Sequence, residues 1–75
     1  MSLKQIILDV SELEAPYPLI EASHAIKDLK DDEELIFIHR MFPHKLKAVL
    51  EKFECKSEIL KDEENYFEIK ITRIL

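Results

Sequence analysis

The chain has 75 residues, with 11 Lys and Arg against 16 Asp and Glu, and a formal net charge of −5. That length holds a single domain, 1–75, which on folding buries only about 60% of the surface its unfolded form exposes. A hydrophobic content of 47% beside 36% charged residues of both signs points to a small folded domain and excludes a disordered polyanion. No apolar run nears the ~20 residues that span a bilayer, and none near the N-terminus suits a signal peptide, so no membrane and a cytoplasmic location are expected. The single cysteine, Cys55, cannot close an intrachain disulfide and fits a reducing compartment. Arg40, Lys45 and Lys47 form the only local basic cluster, too small against the acidic balance to favour nucleic acid. Glycine is absent, which excludes Gly-rich phosphate cradles and leaves tight turns to Asn, Asp, Ser, Lys or Glu.

In chain order, Gln5 to Val10 reads as a strand, with Ile6, Leu8 and Val10 on one face and Ile7 on the other. Residues 11–15 form a loop. Pro16 and Pro18 then open a helix running to Lys30, whose Leu19, Ala22, Ala25, Ile26 and Leu29 recur at helical spacing. Asp31-Asp32-Glu33 is a charged turn. Leu35 to His39 is apolar on both faces and reads as a central strand. Pro43 opens a second helix that lines up Leu46, Val49, Leu50 and Phe53. Cys55 to Lys61 is a weaker strand, Asp62-Glu63-Glu64-Asn65 a turn with Asn65 left-handed, and Tyr66 to Arg73 an alternating strand that closes a hairpin.

The order βαβαββ makes the first two strands parallel, since a strand–helix–strand unit crosses over right-handedly. Two helices cover one face of four strands, so the fold expected is an α/β (α+β) two-layer sandwich with a mixed sheet and an open opposite face. Parallel strands bring their carboxyl ends to one edge, where ligands of such folds tend to sit. That edge gathers Ala15, Pro16, Tyr17 and Pro18 with His39, Arg40, Met41 and His44. Free N–H groups at Leu19 and Ile20 would add a preference for an anion.

These residues carry a resemblance. Leu8-Asp9-Val10-Ser11-Glu12-Leu13-Glu14-Ala15-Pro16-Tyr17-Pro18 resembles, without a gap, the opening motif L-D-x-x-G-L-x-C-P-x-P of the SirA/TusA-like sulfur-carrier family. That resemblance implies a βαβαββ sandwich and, in the family, a persulfide carried on the motif cysteine. Here Ala15 holds the cysteine position and Glu12 the glycine position, so the carrier chemistry is missing its atom. A cysteine-less branch of unknown function is similar in a second segment too, with His39 after the second strand and Pro43-His44-Lys45-Leu46 beyond it.

The expectation is a non-enzymatic domain without a cofactor, binding an unknown protein partner or a small anionic ligand along Ala15–Pro18 and His39–His44. A sulfur or redox carrier through Cys55 is one alternative, although Cys55 shares parity with Ser57 and Ile59, and Glu54 and Glu58 would oppose thiolate formation. A metal- or haem-binding module through His39 and His44, with Met41 as a further ligand, is another, although the spacing matches no rigid ligand template. Tyr17 suits either a stacking surface or sheet-edge packing. Self-association into a homodimer would follow from the open sheet face and the C-terminal Ile74-Leu75.

Overall fold

The computed structural model describes residues 3–74. Strand β1 (Lys4–Asp9), helix α1 (Tyr17–Lys27), strand β2 (Glu33–His39), helix α2 (Leu46–Lys52) and strands β3 (Cys55–Glu63) and β4 (Tyr66–Arg73) follow in the expected order. The sheet runs β1-β2-β4-β3, with β1 parallel to β2 and the other pairs antiparallel. The chain is therefore the two-layer sandwich with a mixed sheet that the element order implies. Leu75 of the C-terminal pair lies outside the described residues.

Alternation explains which face is covered. Leu35, Phe37 and His39 of β2 and Phe67, Ile69 and Ile71 of β4 turn inward, and the apolar ones join Ala22, Ile26, Leu46 and Leu50 of the helices in one core. Phe37, Leu35, Ile69, Ile71, Ile26 and Leu46 have no residual exposure. Ile36 faces the open side yet is buried as well, because β2 has a neighbour on each flank. The reading of β2 as central and two-sided holds for that reason.

Boundaries differ at the helix ends. The helix expected to reach Lys30 ends at Lys27: Asp28 N–H still donates to His24 O at 3.2 Å, but Leu29 N–H turns to Ile26 O, three residues back, at 3.2 Å. Arg73 Nε donates to Leu29 O at 2.7 Å, Nη2 to Lys27 O at 3.2 Å, and Nη1 to Phe53 O, just past α2, at 2.9 Å. One guanidinium thus satisfies orphan acceptors after both helices. The second helix starts at Leu46, not Pro43: Pro43–Lys45 is a turn closed by Leu46 N–H on Pro43 O at 3.0 Å. Beside it the Phe42 ring stands edge-on to Phe67, with centroids 5.5 Å apart.

At the strand ends, pairing extends what composition suggested. β1 spans Lys4–Asp9 where Gln5–Val10 was expected, and β2 begins at Glu33, two residues before Leu35, because Lys4 and Gln5 lie opposite Glu33 and Glu34. β3 continues through Asp62 and Glu63, which pair with Phe67 and Tyr66, so the expected four-residue turn tightens to Glu64-Asn65. Asn65 is left-handed as expected, with φ 60°, and Glu54 is too, with φ 55°. Glu54 follows the α2 C-cap, where glycine is the usual occupant, and its carbonyl accepts from Ile74 N–H at 2.9 Å.

Arg73→Ala is expected to lower unfolding free energy by about 1–3 kcal/mol, the scale of a charged donor lost from two part-buried acceptors and one exposed one. Urea denaturation of the variant measures this, and an unchanged midpoint would mean the guanidinium does not hold the helix ends.

Candidate functional site

The carboxyl ends of β1 and β2 open onto a groove of about 500 Å³ between the start of α1 and the β2–α2 connection. Ala15, Pro16, Pro18 and Leu19 form one wall; Met41, Phe42 and Pro43 form the other, with His44 and Lys45 at its end and His39 between the walls. The surface is mainly hydrocarbon. The Ala15–Pro16 peptide is cis, and Pro18 is buried in the first turn of α1.

Most residues expected at this edge meet in the groove, and two do not. Tyr17 alternates away between its prolines and is 59% exposed, so it stacks on no groove wall. Arg40 turns toward the β1–α1 loop, where Nη2 donates to Leu13 O at 3.0 Å and lies 3.4 Å from Glu14 Oε2. It braces the loop that carries Ala15. The N–H of Ile20, expected free, donates to Pro16 O at 3.1 Å, which weakens the anion preference of this helix end. Leu19, Phe42 and Lys45 also line the groove; the sequence offers Leu19 for its helical spacing and N–H, Lys45 for its charge, and Phe42 only as a member of the His39–His44 stretch. Phe42 lay next to named residues, but only its packing against Phe67 places it there.

His39 is the polar residue enclosed at this site. It is 7% exposed, and its Nδ1 has no hydrogen-bond partner among the described residues. Its ring stands edge-on to Phe37, with centroids 6.2 Å apart. Burial holds its pKa below the usual 6.5, the Arg40 charge acts the same way, and the Val10 backbone, Glu14 and Asp9 oppose both. The imidazole is therefore neutral at pH 7. Met41 is exposed, as is His44, so the three candidate metal ligands share a groove but not a common depth. Among the described residues no three His, Cys, Asp or Glu side chains gather as a metal cluster.

Cys55 sits at the other end of the sheet. It pairs with Arg73 on β4, whereas His39 pairs with Phe67, six residues away or about 20 Å along the strand. Cys55 is buried, at 5% exposed, with Sγ 3.6 Å from Phe53 O. Its pKa is raised by desolvation, against a lowering from Arg73, and not by the acidic neighbours the sequence suggested.

Two outcomes follow. As pH falls below 6.5 the unfolded chain protonates His39 while the folded chain does not, so stability is lost from there down through the depressed folded pKa. Urea midpoints taken from pH 7 down to about pH 5 should fall, and His39→Gln should flatten that decline. A wild-type profile no steeper than the variant's would contradict the burial of His39. The Cys55 thiol should be alkylated at least about a hundredfold more slowly in the native protein than in urea, since reaction needs a thiolate in contact with solvent. Equal rates would place that thiol at the surface.

Comparison with known proteins adds one positive result. Neither a curated protein nor a solved structure gives a significant match to this chain. No helix among the described residues is long and apolar enough to cross a membrane. A family profile described as sulfurtransferase TusA matches residues 6–73. The match runs from within β1 to the last residue of β4, and it includes the loop in which Ala15 stands where the resembling motif has cysteine. On a match of that extent, the chain belongs to the sulfurtransferase TusA family.

Proposed function

We propose that this domain is a non-catalytic, cytoplasmic binding module that keeps the sulfur-carrier fold without carrying sulfur. The observation that supports this reading is the identity of residue 15. A methyl group occupies the start of α1 beside the groove, and the one thiol of the chain is buried at the far end of the sheet. An alanine neither forms a persulfide nor polarises a substrate. Among the described residues no hydroxyl or thiol hydrogen-bonds His39 Nδ1, so the site offers no paired nucleophile and base there.

What remains is a recognition surface. Proline and methionine walls suit an apolar side chain. Lys45 lines one end of the groove, so a cationic group stands at its rim. A loop of a partner protein offering an apolar residue beside a carboxylate meets both features, and a small anion with an apolar body meets them on a lesser scale.

Native mass spectrometry of gently purified protein, before and after exposure to polysulfide, tests the reading. The wild-type mass is expected to stay that of the bare chain, while Ala15→Cys gains one sulfur atom and so shows that the assay detects loading. Sulfur on the wild type that is lost in Cys55→Ser would restore a carrier role. A retained metal that is lost on replacing His39 and His44 by alanine would make the groove a metal site instead.

A further inference from the structure

The sheet has two edges, and they are built differently. β3 is nine residues long, carries charges at Lys56, Glu58, Lys61, Asp62 and Glu63, and breaks register between Ile59 and Lys61. Charges and a bulge are the usual means by which an edge strand resists pairing. β1 has none of these between its terminal residues: Gln5-Ile6-Ile7-Leu8 is uncharged, lacks proline and pairs with β2 without a break.

Hydrogen bonding shows which of its groups are open. Lys4 N–H donates to Asp32 O and Val10 N–H to Ile38 O, so the even-numbered residues direct their backbone groups at β2. By strand alternation, Gln5, Ile7 and Asp9 direct theirs away from the sheet. These same residues point their side chains to the open face, and all are exposed, Ile7 by 66%.

We propose that β1 pairs antiparallel with β1 of a second copy of this chain, about a two-fold axis at Ile7, to form a continuous eight-stranded sheet. Centring on Ile7 sets Ile7 opposite Ile7 of the second copy and Gln5 opposite Asp9. Every outward donor and acceptor of Gln5, Ile7 and Asp9 is then paired, which a register centred on Ile6 does not achieve because it leaves Asp9 opposite Leu3. The side chains are complementary in the same register. Asp9 has one carboxylate oxygen held by Ser11 N–H at 3.0 Å, which leaves the other to receive the amide of Gln5, itself steadied by Glu34 at 2.8 Å.

The axis also closes an apolar row. Across the open face Ile7 lies beside Ile36, Ile36 beside Lys70, and Lys70 beside Glu58, with Lys70 Nζ 3.6 Å from Glu58 Oε1. In one copy this row ends in a bare isoleucine. In two it runs from ion pair to ion pair through four isoleucines, two from each copy, with no apolar end in water. On the helix face Ile6 meets Leu8 of the other copy, and both are only half-buried in the single chain. The two-fold keeps all four helices on one side and sets the two grooves at opposite ends, so pairing does not depend on what the groove binds.

Sedimentation velocity over a dilution series, with amide hydrogen exchange at its two ends, tests the proposal. A dimer is expected at the concentrated end, with the amides of Gln5, Ile7 and Asp9 slowed at least about tenfold relative to the dilute end. Those of Ile6 and Leu8 should be protected at both ends. Ile7→Pro removes only an outward donor, so it should leave the fold intact and the protein monomeric. Ile7→Lys, which sets like charges across the axis, should do the same. A monomer at every concentration, a dimer whose outward amides exchange freely, or a folded Ile7→Pro that still dimerises would each overturn it.

Discussion

In the antiparallel pairing of β2 with β4, Leu35 lies opposite Ile71, Phe37 opposite Ile69 and His39 opposite Phe67, all on the face the helices cover. A slip of one residue would send this set to solvent and bring Ile36, Ile38, Glu68 and Lys70 inside, so burial of the apolar set enforces the register. His39 is buried as a consequence. It shares parity with Phe37, and no local signal separates it from that alternation. The unpaired Nδ1 and the depressed pKa follow from a polar residue being carried inward by the register of its neighbours. The groove also follows, because β2 must stop where a polar residue enters the layer and the chain turns away through Met41, Phe42 and Pro43.

A second constraint acts at the opposite end. A chain with no glycine must end its helices by other means. Here α2 ends on Glu54 in a left-handed conformation, and Arg73 supplies hydrogen-bond donors to carbonyls after both helices. That guanidinium crosses from the last strand to segments far away in sequence, which ties the two layers together at this end. Cys55 lies under this junction. Its burial belongs to the packing there, and the cost of exposing it would be the cost of opening the domain.

The two ends therefore have different characters. At one end a buried thiol and a half-buried guanidinium make internal hydrogen bonds. At the other a cis Ala–Pro peptide, two further prolines and an exposed methionine surround a groove with one enclosed polar side chain. In this member of the sulfurtransferase TusA family, the groove end presents mainly hydrocarbon, and the thiol of Cys55 is closed off at the other end. Recognition requires only the first of these surfaces. Transfer would require the two to coincide.

Local pattern determined a good deal. Alternation in Phe67, Ile69 and Ile71, helical spacing from Leu19 to Leu29, and two prolines ahead of α1 were enough for the element order, the parallel first pair and the helix-covered face. The loop from Leu8 to Pro18 carried the family likeness and the missing cysteine in adjacent residues, so both were legible without a fold. Tertiary structure decided what depends on distant partners. The donor that satisfies the last carbonyl of α1 comes from Arg73, 46 residues beyond Lys27. The place of Phe42 in the groove depends on the Phe67 ring, the withdrawal of Arg40 on a carbonyl 27 residues earlier, and the full burial of Cys55 on the junction of two helices with β4. Periodicity reports only which side of its own element a residue occupies; what stands opposite is set by packing, which no single segment encodes.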